Sequence, residues 1–498
     1  MLTAEYDLIA SHVRLPNRAV IGKGVTPALD GRTLANVTPR DGSVLNQVAA
    51  CGPADIDATV AAGRAAFETG PSRSLAPRDR RKTLLRLAQL LEDNAGELAL
   101  LETLDTGKPI SETRSVDVPL AIGTLRYYAE AIDKVYGEVG PSGPDRISWA
   151  VHEPLGVIGA ITPWNFPLHL AMWKVAPAIA MGNSVVLQPA EQSPLTALRL
   201  GEFALEAGLP AGVLNVIPGL GGEAGSALSR HMDVDMVAFT GSVRVGRMIM
   251  RDAGESNLKR VSLELGGKSP HIDLADCADI DAAVAAVAWG VLYNQGQVCT
   301  AGSRLIFARD IRDVFVEKLI AYIGAISPGD PLDPSTRLGT MISESQLAGV
   351  LARVERAVTE GARLLCGGDR LHQETGGFYM APTVLDQVRN DMSIAREETF
   401  GPVLSVITVA DADDALRTAN DNAYGLAAGV WTGNIDTALR MARGLRSGLV
   451  WVNGWDSCDI TMPFGGFKQS GFGRDRSLHA LHKYADIKFV TITIGGDA

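Results

Sequence analysis

Cysteine is scarce in this chain. Five occur in 498 residues, odd in number and far apart (Cys51, Cys277, Cys299, Cys366, Cys458). That excludes a disulfide framework and paired zinc ligands, so no metal is expected, and it suits a reducing, cytoplasmic setting. A basic surplus is missing too. The formal charge of −11 argues against nucleic acid and anionic membranes as partners, since both call for clustered Lys and Arg. Met1 to Ala10 carries Glu5 and Asp7 and has no long apolar core, so it does not read as a secretory signal. An unbroken apolar span is absent as well. Pro154 to Trp173 is charge-free and long enough to suggest a membrane helix, but Pro163 and Pro167 break it, and Asn165 and His169 sit inside it. A buried strand, a loop and the start of a helix fit better. Finally, no linker or composition shift divides the chain, although its length exceeds a single core and predicts two or three domains.

What the chain does contain is alternation. Helical periodicity runs through 54–68, 78–92 and 116–131. From Gly156 onward, short β-branched runs (156–161, 184–187, 213–217, 236–239) are each followed by a helical segment (168–181, 194–207, 223–229, 243–253). This predicts an α/β protein with a parallel sheet covered by helices, a nucleotide-binding architecture. A second α/β series begins near Gly266, with helices over 279–293, 311–323, 343–360, 411–419 and 435–444 and a strand at 304–307. The tail 487–494 is strongly β-prone. Left unpaired it would be an aggregation edge, and pairing with another subunit's sheet would resolve that.

Three side chains stand where chemistry would need them. Cys299 lies in Gly296-Gln297-Val298-Cys299-Thr300-Ala301-Gly302, among small and amide residues. A lone cysteine more often packs as a small hydrophobe; open backbone around a thiol instead suits a nucleophile. Asn165 is fixed between Pro163-Trp164 and Phe166-Pro167 after a strand, where it either donates to an oxyanion or caps the following helix. Glu264 ends an apolar strand before Gly266-Gly267. It is either a desolvated general base or a strand-end carboxylate facing water. Two glycine turns compete for phosphate. Gly219-Leu220-Gly221-Gly222-Glu223-Ala224 matches a dinucleotide fingerprint, and Thr240-Gly241-Ser242 opens a helix N-terminus. The residues alone do not rank them.

With these residues assembled, the chain resembles the aldehyde dehydrogenase superfamily over nearly its whole length. Six motifs carry the resemblance in order and spacing: Pro-Trp-Asn-Phe-Pro at 163–167, Phe-Thr-Gly-Ser at 239–242, Glu-Leu-Gly-Gly-Lys at 264–268, Gly-Gln-Val-Cys at 296–299, Glu-Glu-Thr-Phe-Gly-Pro at 397–402 and Pro-Phe-Gly-Gly-Phe-Lys at 463–468. The resemblance implies a Rossmann-like NAD-binding domain (1–130 and 155–265), a catalytic domain (266–466) and a small β oligomerisation arm (131–154 and 467–498), in a homo-oligomer, dimer or tetramer. It implies that the Cys299 thiolate attacks an aldehyde, that Asn165 and the Cys299 N–H hold the oxyanion, and that hydride leaves to the nicotinamide. Glu264 would then activate water to hydrolyse the thioester.

For NAD, the resemblance implies Ile161, Thr162, Pro163, Trp164, Phe239, Gly241, Ser242, Glu264, Leu265 and Gly266 as binding residues. Ser242 and Gly241 would meet the pyrophosphate, with Gly221 and Gly225 beside the adenosine. Lys174 and Glu191 would lie near the adenosine ribose, with Lys174 also counted among the catalytic residues. Glu398 and Phe400 would hold the nicotinamide ribose and ring. One departure bears on the cofactor. The usual Lys-Pro-Ala-Glu is here Gln188-Pro189-Ala190-Glu191. A neutral amide replaces an ammonium, and Glu191 would repel a 2′-phosphate, so NAD is expected over NADP.

The stretch Asp456 to Gly466 and the run Gly473 to Leu481 are most similar to the subgroup acting on γ-glutamyl-γ-aminobutyraldehyde and related ω-amino or guanidino aldehydes. Asp456 and Asp459, with Glu102 and Asp105, would be carboxylates at the tunnel mouth attracting a cationic substrate. Equally, they could be ordinary surface acids of a negative chain. Phe166, Trp173 and Phe464 would form the apolar wall. A broad-specificity or betaine-type dehydrogenase is an alternative. An acyl transferase to coenzyme A is disfavoured by Glu264, and a non-catalytic structural protein by the retention of Cys299, Glu264 and Asn165 together.

Overall fold

The structure is a computed structural model describing residues 3–70, 75–457 and 459–494; Cys458 lies outside them. Its first sheet has eight strands, ordered Gly24–Thr26, Ala19–Ile21, Leu214–Val216, Ser184–Gln188, Val157–Ile161, Met236–Gly241, Arg260–Leu265, Gly471–Phe472. The five from Leu214–Val216 to Arg260–Leu265 run parallel, and the flanking pairings are antiparallel. Their burial is continuous rather than alternating (Val157–Ile161 and Ser184–Gln188 are buried throughout), as expected when helices cover both faces.

Chain order makes the first sheet useful. Val157–Ile161 is followed on one side by Ser184–Gln188 and then Leu214–Val216, and on the other by Met236–Gly241. The topological switch therefore lies between Val157–Ile161 and Met236–Gly241. In open α/β sheets that crevice, at the carboxyl ends of the strands, takes the ligand. It opens between the 162–166 loop and the Gly241-Ser242 turn. The rival turn at 219–224 lies past Leu214–Val216, away from the switch. There the expected 223–229 helix begins as a π-turn at Gly221–Gly225 before Ser226–Arg230.

The second sheet has seven strands, with Pro270–Asp273 paired in parallel to Arg304–Ala308 and Ala427–Trp431. Each sheet has its own apolar cores. Leu187, Ala171 and Leu198 belong to one, and Ile272, Ile306 and Val403 to another. A third sheet pairs Ala485–Thr493 with Arg146–Pro154 along nine residues, from Ala485 opposite Pro154 to Thr493 opposite Arg146. The β-prone tail thus finds a strand of its own chain. Of the segment grouped with it, Gly471–Phe472 instead joins the first sheet beside Leu263 and Glu264. Among the described residues, no helix is long and apolar enough to cross a membrane. The charge-free stretch resolves into Arg146–Pro154, Val157–Ile161 and helix Pro167–Ala180.

Candidate active site

A cavity of about 280 Å³ opens at the switch point. Its lining includes Trp164, Asn165, Trp173, Ser242, Glu264, Cys299, Glu398 and Phe464. Cys299 follows helix Ile280–Leu292, where the chain turns through three left-handed residues, Asn294 (φ 47°), Gln295 (φ 56°) and Gly296 (φ 67°). The thiol packs against an apolar cluster of Leu170, Trp173, Leu426 and Phe464, with Phe166 beside it. Burial, then the carboxyls of Glu398, Glu264 and Asp456, push the thiol well above its ordinary pKa. It is therefore a neutral S–H at rest.

Asn165 does not cap the helix after it. The N-cap position is Phe166, with no side-chain cap. Instead Asn165 Nδ2 donates to the Gln297 carbonyl at 2.8 Å, and the Asn165 carbonyl accepts from Asn294 Nδ2 at 2.9 Å. Those bonds fasten the 162–166 loop to the thiol's loop. That bond uses one of the two protons that an amide nitrogen carries.

Glu264 is buried, and among the described residues neither of its carboxyl oxygens has a hydrogen-bond partner. Burial and the nearby Asp475 raise it well above the carboxylate range, against the pull of Lys483 and Lys174. A water-facing strand end is thus excluded. Lys174 departs from its expected place. Its Nζ donates to Asp475 Oδ2 at 3.1 Å, and the other Asp475 oxygen accepts from Lys483. Its charge also acts on Glu264, so it belongs to an acid–base network behind that residue rather than to a ribose site. Asp475 and Lys483 lie some three hundred residues along the chain from Lys174, and no local pattern announced that they would meet.

The expected cofactor residues fall into two groups. In the cavity stand Pro163, Trp164, Gly241, Ser242, Leu265, Gly266, Glu398 and Phe400. Ser242 caps helix Val243–Glu255 by accepting from Val245 N at 3.3 Å. Glu398 accepts from Gly267 N at 3.1 Å, and burial lifts its carboxyl to about 7. The left-handed Phe400 meets Trp164 edge-on at 5.2 Å. The second group lies at the ends of the neighbouring strands. A β-carbon on Gly225 would come 3.1 Å from Gln188 Oε1 and 3.9 Å from Ile161 Cδ1, and one on Gly221 would come 4.0 Å from Glu191 Oε2. Gln188 Nε2 donates to the Pro189 and Gly219 carbonyls, whereas Oε1 is buried without a partner. Thr162 and Phe239 support both groups from beneath: Thr162 N donates to the Gln188 carbonyl, and the Phe239 ring lies under Gly241.

The four expected mouth acids separate. Glu102 and Asp105 are fully buried. Asp105 accepts from Asn36 Nδ2 and Leu195 N, both at 2.8 Å, and Glu102 accepts from Leu168 N at 3.3 Å. Burial pushes each up to about 8, and neither meets solvent at an entrance. Their helix, Ala95–Thr106, turns its acidic side inward against the helices at 168 and 195. Asp459 is exposed and accepts from Thr461. Asp456 is half-buried and left-handed (φ 57°), and its charge reaches Cys299 and Tyr293. The preceding Trp455 anchors it, filling the space beside Gly290, Gly302 and Gly429. On the apolar wall, Trp173 and Phe464 meet at 4.7 Å, and the Lys108 ammonium sits 3.6 Å from the Phe166 ring centre. Thr240, Leu170, Gln346, Arg353 and Thr399 line the cavity too; only the motif neighbours Thr240 and Thr399 had a sequence signal.

Residues 26–490 match the model of the aldehyde dehydrogenase family. The NADP/NAD-dependent aldehyde dehydrogenase PuuC of Escherichia coli is 47% identical over 487 residues, 97% of each chain. Among solved structures, the gamma-glutamyl-gamma-aminobutyraldehyde dehydrogenase of Burkholderia cenocepacia is 52% identical. Its TM-score is 0.97, over 99% of this chain and 100% of that one. The indole-3-acetaldehyde dehydrogenase AldA of P. syringae, solved with NAD+ and IAA, is 50% identical with a TM-score of 0.98, over the same shares. A thiol, an amide and a desolvated carboxyl meeting at the switch point of such a chain place it plainly: it belongs to the aldehyde dehydrogenase family.

Proposed function

We propose that the chain oxidises aldehydes bearing a distal amine to carboxylic acids, with NAD as acceptor. The observation that carries this is the single cavity in which Cys299, Asn165, Glu264, Ser242 and Glu398 face one another. Glu191, Gln188, Gly221 and Gly225 would hold the adenosine end. Ser242 and Gly241, at a helix N-terminus that favours anions, would hold the pyrophosphate, and Glu398 with Phe400 the nicotinamide riboside. Bound there, NAD would supply the hydride acceptor for the substrate carbon.

The protein's own part follows from its groups. The Cys299 thiol gives its proton to solvent, and the sulfur attacks the carbonyl carbon. The oxygen, now anionic, sits between the Cys299 N–H and the free Asn165 Nδ2 proton. Once the carbon is a thioester, Glu264, ionised, takes a proton from water whose oxygen attacks that carbon. The C–S bond breaks, the acid leaves, and the departing sulfur takes the proton from Glu264, which returns to its ionised form. Lys174, Asp475 and Lys483 set how readily Glu264 ionises.

Asp456 supports a cationic substrate, because its negative charge acts at the thiol. The Burkholderia relative named for an aminobutyraldehyde points the same way. A second reading, an aromatic aldehyde, draws on the Trp173–Phe464 wall and on the indole-3-acetaldehyde relative. NAD-linked turnover across amino-, guanidino-, betaine-type, aliphatic and indole aldehydes decides between them. Higher kcat/KM for the indole compound than for an aminoaldehyde would overturn the cationic assignment.

The chain also fits a homo-oligomer, dimer or tetramer. Strand Ala485–Thr493 is an edge, ordered outside Arg146–Pro154, with Ile487, Phe489 and Ile492 exposed. A second copy would cover it. Light scattering coupled to size exclusion tests this, and a monomer at micromolar concentration would refute it. Cys51, Cys277, Cys299 and Cys366 are all free thiols, which supports a cytoplasmic home.

A further inference from the structure

Arg353 stands in the cavity and takes no part in the chemistry just described. It lies on helix Glu344–Thr359, which is fastened to the 398–401 loop at two points. Gln346 Nε2 donates to the Phe400 carbonyl at 2.9 Å. One turn on, Val350 is packed so closely against Gly401 that a β-carbon there would come within 2.9 Å of it. Arg353 follows seven residues after Gln346, on the same face. Its place is thereby set by the loop that carries Glu398.

The guanidinium is held but not satisfied. Nη1 donates to the Gly349 carbonyl at 2.9 Å, within its own helix. Nε is buried and has no partner among the described residues. A buried N–H without an acceptor costs about 1–3 kcal/mol, so the arrangement suits an acceptor that arrives with a ligand. The charges around it say which kind. Among the described residues lining the cavity, Arg353 is the one cation, whereas Glu264 and Glu398 are two carboxyls. A dinucleotide adds its pyrophosphate anion to that acidic surface. At the far end, Gln188 offers only a neutral amide.

We propose that Arg353 is a cofactor-positioning residue whose guanidinium pairs with the pyrophosphate of the dinucleotide, on the nicotinamide side of the Ser242 turn. This rests on the NAD assignment above and deepens it. A guanidinium meets phosphate oxygens through a planar fork of N–H donors, which a Lys ammonium reproduces only in charge.

The test is equilibrium binding, read by quenching of protein fluorescence, for wild type, Arg353→Leu and Arg353→Lys. The ligands are NAD+, ADP-ribose (pyrophosphate without nicotinamide) and adenosine. For Arg353→Leu, Kd for both NAD+ and ADP-ribose should rise about tenfold, the worth of one charge-assisted contact. Adenosine should bind as before, showing that the variant is folded. Arg353→Lys should recover part of the loss, and added salt should narrow the gap between wild type and Leu. Unchanged affinity for NAD+ overturns the proposal. So does a loss for NAD+ with none for ADP-ribose, which would put Arg353 at the nicotinamide instead. If wild type binds neither NAD+ nor ADP-ribose, the dinucleotide assignment itself fails, and this proposal with it.

Discussion

Asn165 Nδ2 donates to the carbonyl of Gln297, two residues before the Cys299 thiol, at 2.8 Å. One proton of the amide thus fixes where the other points. Asn165→Ala should lower kcat by about 10²–10³-fold, the effect of losing one oxyanion donor. Asn165→Asp should be no better, because a carboxylate repels the oxyanion. Steady-state kinetics with a saturating aldehyde checks both, and a fall of less than about fivefold for Ala would remove Asn165 from the oxyanion site.

Among the described residues Glu264 has no hydrogen-bond partner on either oxygen, so its replacement should leave the fold intact. Glu264→Gln should still form the thioester but hydrolyse it slowly. Stopped-flow absorbance should show a burst of about one reduced nicotinamide per subunit, then turnover slowed by about 10²-fold or more. A variant with no burst and equally slow chemistry in every phase would show that Glu264 acts before the thioester.

Cys299 is held neutral by burial and by three carboxyls, Asp456 among them. Removing one negative charge makes the thiolate less unfavourable, so its pKa falls. Asp456→Asn should therefore shift the acidic limb of kcat/KM to lower pH, and the same shift should appear in the pH profile of thiol alkylation. The same variant should raise KM for an aminoaldehyde more than for a neutral aldehyde of equal length. Asp459→Asn, at an exposed loop position, should act in the same direction but more weakly, because water screens it. Equal effects of Asp456→Asn on both aldehydes would rule out charge recognition.

Gln188 lies in a tight place, with Nε2 bonded to two carbonyls and Oε1 beside Gly225. Gln188→Lys should tighten NADP binding by about tenfold through an added cation near the ribose. NAD affinity should change less. Comparing kcat/KM for the two cofactors in both proteins tests this, and no gain with NADP would place residue 188 out of reach of the 2′-phosphate.

What could be read from the sequence was whatever depended on neighbours along the chain. Ser184–Gln188 announced itself because burial on both sides of a parallel sheet leaves a continuous apolar run. Asn165 shows the limit. A capping amide and an amide free of the helix look alike locally, and only the bond to Gln297, 132 residues away, shows that Asn165 is turned from the helix. Glu102 and Asp105 misled for a related reason. A carboxylate is usually read as surface, yet Asn36 and the backbone N–H groups of Leu195 and Leu168 take these two inside. The turn at 219–224 carries the fingerprint glycines yet lies away from the switch point, since position relative to that point is a property of sheet order.

Gly296 has a consequence beyond its turn. With φ at 67°, its α-carbon sits so close to Gly401 that a β-carbon would come 2.2 Å from that carbonyl oxygen. Main chain meets main chain there, between the loop bearing the nucleophile and the loop bearing Glu398. The spacing of the Cys299 loop from the Glu398 loop is thereby a property of two backbones rather than of any interchangeable side chain. Such a scaffold can drift from one aldehyde to another over evolutionary time while its chemistry stays in register.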